Sequence, residues 1–578
     1  MESVIVDQTT TYWLPANNDD VMSLVEEAAT KGEIICVRGS GHSFPMIGNL
    51  EKEQTSSSGK PYKYIMLSNM NAVKMVDQNT VWVQAGCHLG YDPFDQTPAD
   101  SPFKSTLENS LCYQLDSLGT PNAPAPYNSP PFVPSALPDL GGITHQTVGG
   151  FLSTASSGGS TTYSFEDSLL SIDIITWDGQ KAYLKTFTRP DPAKPDPDDP
   201  FYGAGVATMG LLGIIVSATF SCSPQYYIKG SETIGFADKC TLIDIFDTKN
   251  GLPTLQSFFE TTEYTRLFWW PQHNQLFPDK DLSRIVVWQA ARTDQDGALA
   301  WAKAAYDKMD PPPKIPADGL KPYQEVPYLG LGTPIPATLG ADLIFTAIGT
   351  WPNWLHDLLA ADPVKYEFIK AAVETAYPSV IFPAIVDIFV MNNDDKNPPQ
   401  QFSDTWYDGL PMDNQMSDKL MPIWFTELWI SIDQTQQVIN TLKAFYDSQE
   451  TTIDFSFNCE IYAAKSNDFW LSPSYKQDVI RIDILWFANN LSDPATFYQN
   501  FWDLLAPFNY RAHWAKYLPD VVNLTTTDKD NKKTTVAIPG PQYLTSKYPK
   551  WANWKALREQ MDPSQIFLND YWRQHLPL

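Results

Sequence analysis

The chain predicts an α+β protein of two domains, and three observations lead there. Over residues 1–225, helical and strand-like segments alternate with small glycine turns. From about residue 226, long apolar runs of β character alternate with helices, the texture of a large antiparallel sheet covered by helices. A length of 578 residues also exceeds what one ordinary core organises.

The first element is a helix over 19–31, with Asp19 and Asp20 at its start and Val21, Leu24, Val25 and Ala28 on one face. A short buried strand at 34–37 follows and runs into Arg38-Gly39-Ser40-Gly41-His42-Ser43. A strand, a turn with two glycines and a hydroxyl is what a backbone needs to wrap a pyrophosphate. Gly39 and Gly41 can take φ > 0 and turn their N–H groups toward an anion. A second strand pair is expected at 64–67 and 81–85, the latter ending in Gly86. Glycine-rich segments then cover 141–150 and 153–160, and a further turn at 210–213 feeds the strand of Ile214, Ile215 and Val216. Residues 189–200 hold five prolines and four aspartates and must be an exposed loop. In the second half, strands are expected at 285–289, 423–432 and 479–487, a helix at 435–448, and a long insert at 318–395. The aromatic clusters at 268–270 and 424–425 read as sheet–helix core, with the floor of a substrate cavity as the alternative, and the insert as a lid or a buried extension of the second domain.

A formal charge of −27 repels nucleic acid and anionic membranes, so neither is an expected partner. No run of eighteen apolar residues predicts a membrane span, and no signal peptide is visible, which leaves a cytoplasmic location by default. The six cysteines are scattered without a CxxC, so reduced core thiols are expected rather than zinc or disulfides.

No segment fits GxGxxG with a downstream acid, or GxxxxGK[ST]. The weight lies in four small-residue segments in one order, with Ser153, Thr154, Ser156, Ser157 and Ser160 able to supply hydroxyls to a large dianionic ligand. The order RGSGHS, VQAGC, ITHQTVGGFLSTASSGG, GLLGII resembles the FAD-binding domain of the vanillyl-alcohol oxidase / p-cresol methylhydroxylase (PCMH) superfamily. Glu460-Ile461-Tyr462, His513-Trp514-Ala515-Lys516 and the segment from Asp562 to Tyr571 resemble its alditol and aldonolactone oxidases. Total length and the 318–395 insert resemble its covalent-flavin (type II) cholesterol oxidases.

The resemblance implies a PCMH-type FAD-binding domain at 1–225, completed by about 540–578, and a substrate domain at 226–540. It implies that Arg38, Gly39, Ser40, Gly41, His42 and Ser43 wrap the FAD pyrophosphate and that His42 bonds covalently to the flavin. Segment 141–148 holds no cysteine, so a single link is expected. Further cofactor contacts are implied at Gly86, Thr147, Gly149, Gly150, Ser153, Thr154, Ser156, Ser157, Gly158, Gly213, Ile215 and Asn569, with Gly149 leaving room for O₂ beside the ring. On the substrate side, Lys516 and His513 match an HWxK motif, and Glu460 matches the glutamate of a Glu-x-Arg pattern whose arginine is here Tyr462. With that guanidinium missing, His145 and Lys465 become candidates for the base. The function implied is an FAD-dependent oxidase taking a small-molecule alcohol, either polyol, sugar or lactone or a bulky sterol-like one, and O₂, with H₂O₂ as product. A dehydrogenase with another acceptor is the near alternative. A carbohydrate-binding or hydrolytic protein without flavin is the alternative of a different class, and a flavoprotein that has lost catalysis is the third.

Overall fold

The computed structural model describes residues 2–6, 10–43, 54–93, 104–271, 283–309, 314–324, 361, 386, 390, 392–394, 398–414, 423–448, 457–487, 494–527, 529 and 532–578. Most of the 318–395 insert, and with it the expected lid or buried extension, lies outside the described residues.

Among the described residues, three sheets of four or more strands build the molecule, beside two two-stranded ones. The first holds β1 (Glu2–Val6), β2 (Thr10–Leu14), β3 (Ile34–Arg38) and β4 (Tyr62–Met66) in the order β1-β2-β4-β3. The β2–β4 and β4–β3 pairs are parallel. The helix Asn18–Lys31 links β2 to β3. Asn17 caps its start by accepting from the Asp20 N–H at 3.0 Å, Gly32 ends it at φ +70°, and Val21, Leu24, Val25 and Ala28 are its buried residues as expected.

β5 (Val73–Asp77), β6 (Thr80–Gln84), β7 (Ser135–Ala136), β8 (Leu169–Trp177), β9 (Ala182–Thr188), β10 (Ile214–Ser221) and β11 (Ser223–Pro224) come next in the chain. Five of them form an antiparallel sheet in the order β5-β6-β10-β8-β9, and β7 pairs with β11. The expected pairing of 64–67 with 81–85 does not occur: β4 and β6 lie in different sheets. The chain crosses between sheets at a close contact, where a Cβ on Gly86 would sit 1.9 Å from the Leu67 carbonyl oxygen. Residues 189–200 have no regular structure and are largely exposed, as their prolines require.

The third sheet has eight strands: β12 (Tyr227–Phe236), β13 (Tyr264–Trp270), β14 (Arg284–Thr293), β15 (Gln400–Thr405), β16 (Ile423–Ser431), β17 (Phe457–Ala464), β18 (Val479–Phe487) and β19 (Arg511–Ala512). Their order is β15-β12-β14-β13-β17-β18-β16-β19. β18 is buried along its whole length, which is why its sequence reads as a nearly unbroken apolar run. The C-terminal segment returns to the first half. The Ile35 N–H bonds the Ile566 carbonyl at 2.7 Å, and the Thr176 hydroxyl bonds the Met561 carbonyl at 2.5 Å. One apolar core, from Val21 to Leu576, runs through both halves.

Five of the six cysteines are buried, and none is in a disulfide. No helix among the described residues is long and apolar enough to cross a membrane.

Candidate active site

A cavity of about 190 Å³ opens where the glycine loops of the first half face the eight-stranded sheet. One wall is the turn after β3. A Cβ on Gly39 would sit 2.5 Å from the Thr147 hydroxyl oxygen, so only glycine lets the turn close on that side chain. Gly41 has φ +92°, and a Cβ there would meet the Arg38 guanidinium at 2.8 Å. Ser40 donates to the His145 carbonyl at 2.5 Å, which ties the turn to the segment carrying Gly141, Gly142 and Gln146. His42 lines the cavity, and its ring lies 4.4 Å from that of His145. Thr147, Gly150, Thr154, Ser156 and Ser157 continue the wall.

The opposite wall is one face of the sheet, built from two rows of side chains. Register places Glu460 (β17), Asp483 (β18) and Glu427 (β16) directly abreast. Two residues along, Tyr462, Arg481 and Trp429 form a second row. The period of two along each strand puts both rows on the same face. Five of these six side chains, all but Trp429, line the cavity.

Buried charges must be paired, and here the pairing is explicit. Arg481 Nε donates to Glu427 Oε1 at 2.7 Å. Lys516 Nζ bridges Glu427 Oε2 at 2.9 Å and the Asp483 carboxylate. Burial alone would raise the Glu427 carboxyl, but Arg481 and Lys516 outweigh it and hold the group far below the ordinary range. Burial pushes Asp483 up to about 7, against the pull of Lys516 and with the help of Glu427. Burial also lifts Glu460 well above its ordinary value; the charge of Asp413 adds to this, while Arg266, whose Nη1 lies 3.8 Å away, pulls the other way. His513 is pushed down to about 3 by burial, and its Nδ1 accepts the Ala515 N–H at 3.1 Å, so it is a neutral acceptor.

The structure therefore brings together Gly39, Ser40, Gly41, His42, Ser43, Thr147, Gly150, Thr154, Ser156 and Ser157 with Glu460, Tyr462, His513 and Lys516. Other expected residues sit elsewhere. Gly149 does not line the cavity: a Cβ there would point at Ala85, in the turn just after β6, 3.1 Å from its side chain, and of the two adjacent glycines it is Gly150 that faces the cavity. Gly86 and Gly213 are needed for close backbone approach, Gly213 to the Ile175 carbonyl, and Ile215 is paired within its sheet opposite Ile174. Asn569 caps a short helix by accepting from the Trp572 N–H at 3.0 Å. Ser153 bonds the Gly149 carbonyl within its own helix. Gly158 leans on Asp139, and Arg38 lies behind the turn, 5.8 Å from the Tyr12 ring. Lys465 pairs with Asp167 at 2.7 Å near the surface and is not at the cavity. Of the aromatic clusters, Trp269 is core as expected, whereas Phe425 lines the cavity, where it lies 4.5 Å from the Lys516 ammonium.

Sequence reasoning missed Glu427, Arg481, Asp483 and Asp413. The signal was present: Glu427 interrupts an apolar strand, and Arg481 and Asp483 sit two apart in another, so all three had to share a buried face and pair. Asp413 gave no such signal. It lies on a loop after β15, and only the fold sets it against Gly142, whose carbonyl accepts its N–H at 2.8 Å.

The residues fit an FAD. The Gly39–Gly41 turn offers backbone N–H groups where any side chain would collide, and hydroxyls line the wall without a bulky neighbour.

Known proteins bear on the same site. Residues 351–575 match the family described as D-arabinono-1,4-lactone oxidase (ALO). A D-arabinono-1,4-lactone oxidase of Kluyveromyces lactis is 23% identical over 286 residues, covering 49% of this chain and 42% of that protein. The chain thus spans less than half the length of that curated relative. An L-gulonolactone oxidase of Scyliorhinus torazame is 20% identical over 97% of this chain and 93% of its own. The fold resembles a crystal structure of a cholesterol oxidase from B. sterolicum, with TM-score 0.60 and 13% identity over 98% of this chain and 94% of that one. By the family model, the curated relatives and the shared fold, the chain is similar to lactone and alditol oxidases in sequence and has a cholesterol-oxidase-like fold.

Proposed function

We propose that this protein is an FAD-dependent oxidase that turns a CH–OH group into a carbonyl, R₂CH–OH + O₂ → R₂C=O + H₂O₂, on a polyhydroxylated substrate of the alditol or aldonolactone kind. The observation that carries this reading is the meeting of a glycine-turn wall with a sheet face of paired acids and cations across one cavity. The sugar-derived names of the matched relatives support it.

FAD, when bound, supplies a hydride acceptor that O₂ regenerates. The protein's own groups handle protons and orientation. Asp483 offers Oδ1, which has no hydrogen-bond partner among the described residues, while Lys516 holds the other oxygen. With its carboxyl near 7 it is poised to take the hydroxyl proton at neutral pH. Glu460, whose carboxyl burial lifts well above its ordinary range, and the Tyr462 phenol present polar groups to further hydroxyls. A hydrocarbon substrate would leave these buried groups unsatisfied, which argues against a sterol.

The test is anaerobic mixing with alditols, aldonolactones and sterols. A polyol or lactone should bleach the yellow protein, and air should restore the colour with one H₂O₂ per alcohol consumed. Bleaching that air does not reverse would make the protein a dehydrogenase; no bleaching by any alcohol would sink the reading. The carboxylate form of Asp483 accumulates as pH rises through about 7, so the bleaching rate should climb across that range. Asp483→Asn should slow bleaching by roughly 10²–10⁴ and flatten the profile, with flavin content unchanged.

A further inference from the structure

Arg481 is the one arginine lining the cavity among the described residues. Its guanidinium is clamped on both faces, 4.5 Å from the Trp429 ring and 4.6 Å from the Tyr462 ring. Its edges are also largely committed. Nε donates to Glu427, and the two N–H groups of Nη1 reach the Ser157 and Gly158 carbonyls at 2.9 and 2.8 Å. A guanidinium has five N–H donors in a rigid plane, so three are spent, and the two on Nη2 have no acceptor among the described residues. The other cations nearby are engaged. Lys516 is held between two carboxylates, and Arg266, which pairs with Asp413 and reaches the Tyr323 hydroxyl, does not line the cavity.

Resting on the oxidase reading above, we infer that Arg481 is a catalytic residue whose Nη2 donates to the substrate oxygen that becomes the carbonyl. The hydroxyl proton leaves to Asp483, two residues along the same strand and on the same face. The hydride leaves carbon for the flavin, and the C–O bond gains its second pair. Negative charge builds on oxygen as the proton departs, and a planar cation fixed in advance by two rings and three hydrogen bonds meets it without reorganisation. The arrangement also explains how the site works with a phenol at 462. Register sets Arg481 directly across the strand pair from Tyr462, so the guanidinium enters from β18 instead of β17.

The experiment compares wild type, Arg481→Ala and Arg481→Lys by anaerobic flavin reduction. Flavin content, thermal melting and the affinity for the carbonyl product, read by difference spectra without turnover, are measured alongside. The expected result is a loss of roughly 10²–10³ in the reduction rate for both variants and weaker product binding. Millimolar guanidinium chloride should partly restore Arg481→Ala, and ammonium chloride should not. Reduction at the wild-type rate in either variant, or no selective rescue, overturns the inference while leaving the oxidase reading intact. If both variants lose FAD or fail to fold, Arg481 is a clamp on the 157–158 carbonyls and the catalytic assignment falls. A wild type that oxidises no alcohol instead removes the reading on which the inference rests.

Discussion

After acid precipitation the wild-type protein should give a yellow pellet, and His42→Ala should give a colourless pellet under a yellow supernatant. The turn that carries His42 is held from three sides: Gly39 against Thr147, Gly41 against the Arg38 guanidinium, and Ser40 on the His145 carbonyl. The imidazole is thus fixed at the cavity wall rather than free to sweep through solvent. The imidazole in that place would hold FAD covalently through its methyl carbon; the link would displace one methyl hydrogen and the imidazole N–H proton, and the two electrons and two protons released would pass to O₂ as H₂O₂. Covalent attachment also tunes the ring's potential. Each ~30 mV lost from a two-electron couple is about a tenfold loss in its equilibrium. Reduction of the flavin in His42→Ala should therefore be slower and less complete, with the substrate side unaltered. Flavin released from the wild type by acid would sink the covalent link and leave the flavoprotein.

Local chemistry made the first half legible. The helix with Asp19 and Asp20 at its start, the strand into Arg38 and the glycine turn each follow from neighbours within a few residues, so the chain order alone exposed them. What the sequence could not convey was which strands lie side by side. The misplaced pairing of 64–67 with 81–85 is one consequence, since two apolar strands near one another in the chain read as a pair, whereas β4 and β6 lie in different sheets. The substrate wall is another. Glu460 and Lys516 were visible as motif residues, but Asp483 and Glu427 become partners only through register across three strands. Gly149 shows the finer limit. Two adjacent glycines differ in which face of one short helix they occupy, and only Gly150 meets the cavity.

The charge row gives the other large effect. Lys516→Met should remove measurable alcohol oxidation near neutral pH and lower stability by roughly 3–5 kcal/mol, the usual cost of stripping one partner from a buried pair. The ammonium is largely buried and sits between Asp483 and Glu427; burial pulls its proton affinity down, and the two carboxylates more than restore it. The two acids would respond differently to its loss. Glu427 keeps Arg481 on Oε1 and stays ionised. Asp483 has no second cation in contact among the described residues and is already near 7, so it should pick up a proton and titrate at still higher pH. Because the base form grows with rising pH, residual activity in Lys516→Met should shift toward alkaline conditions by a unit or more. Adding Asp483→Asn should recover part of the lost stability but none of the activity, since an amide needs no counter-charge and accepts no proton. Thermal melting and pH–rate profiles of the two single variants and the double variant separate these outcomes. Additive stability losses, or a profile unmoved by Lys516→Met, would show that Lys516 and Asp483 do not act on each other.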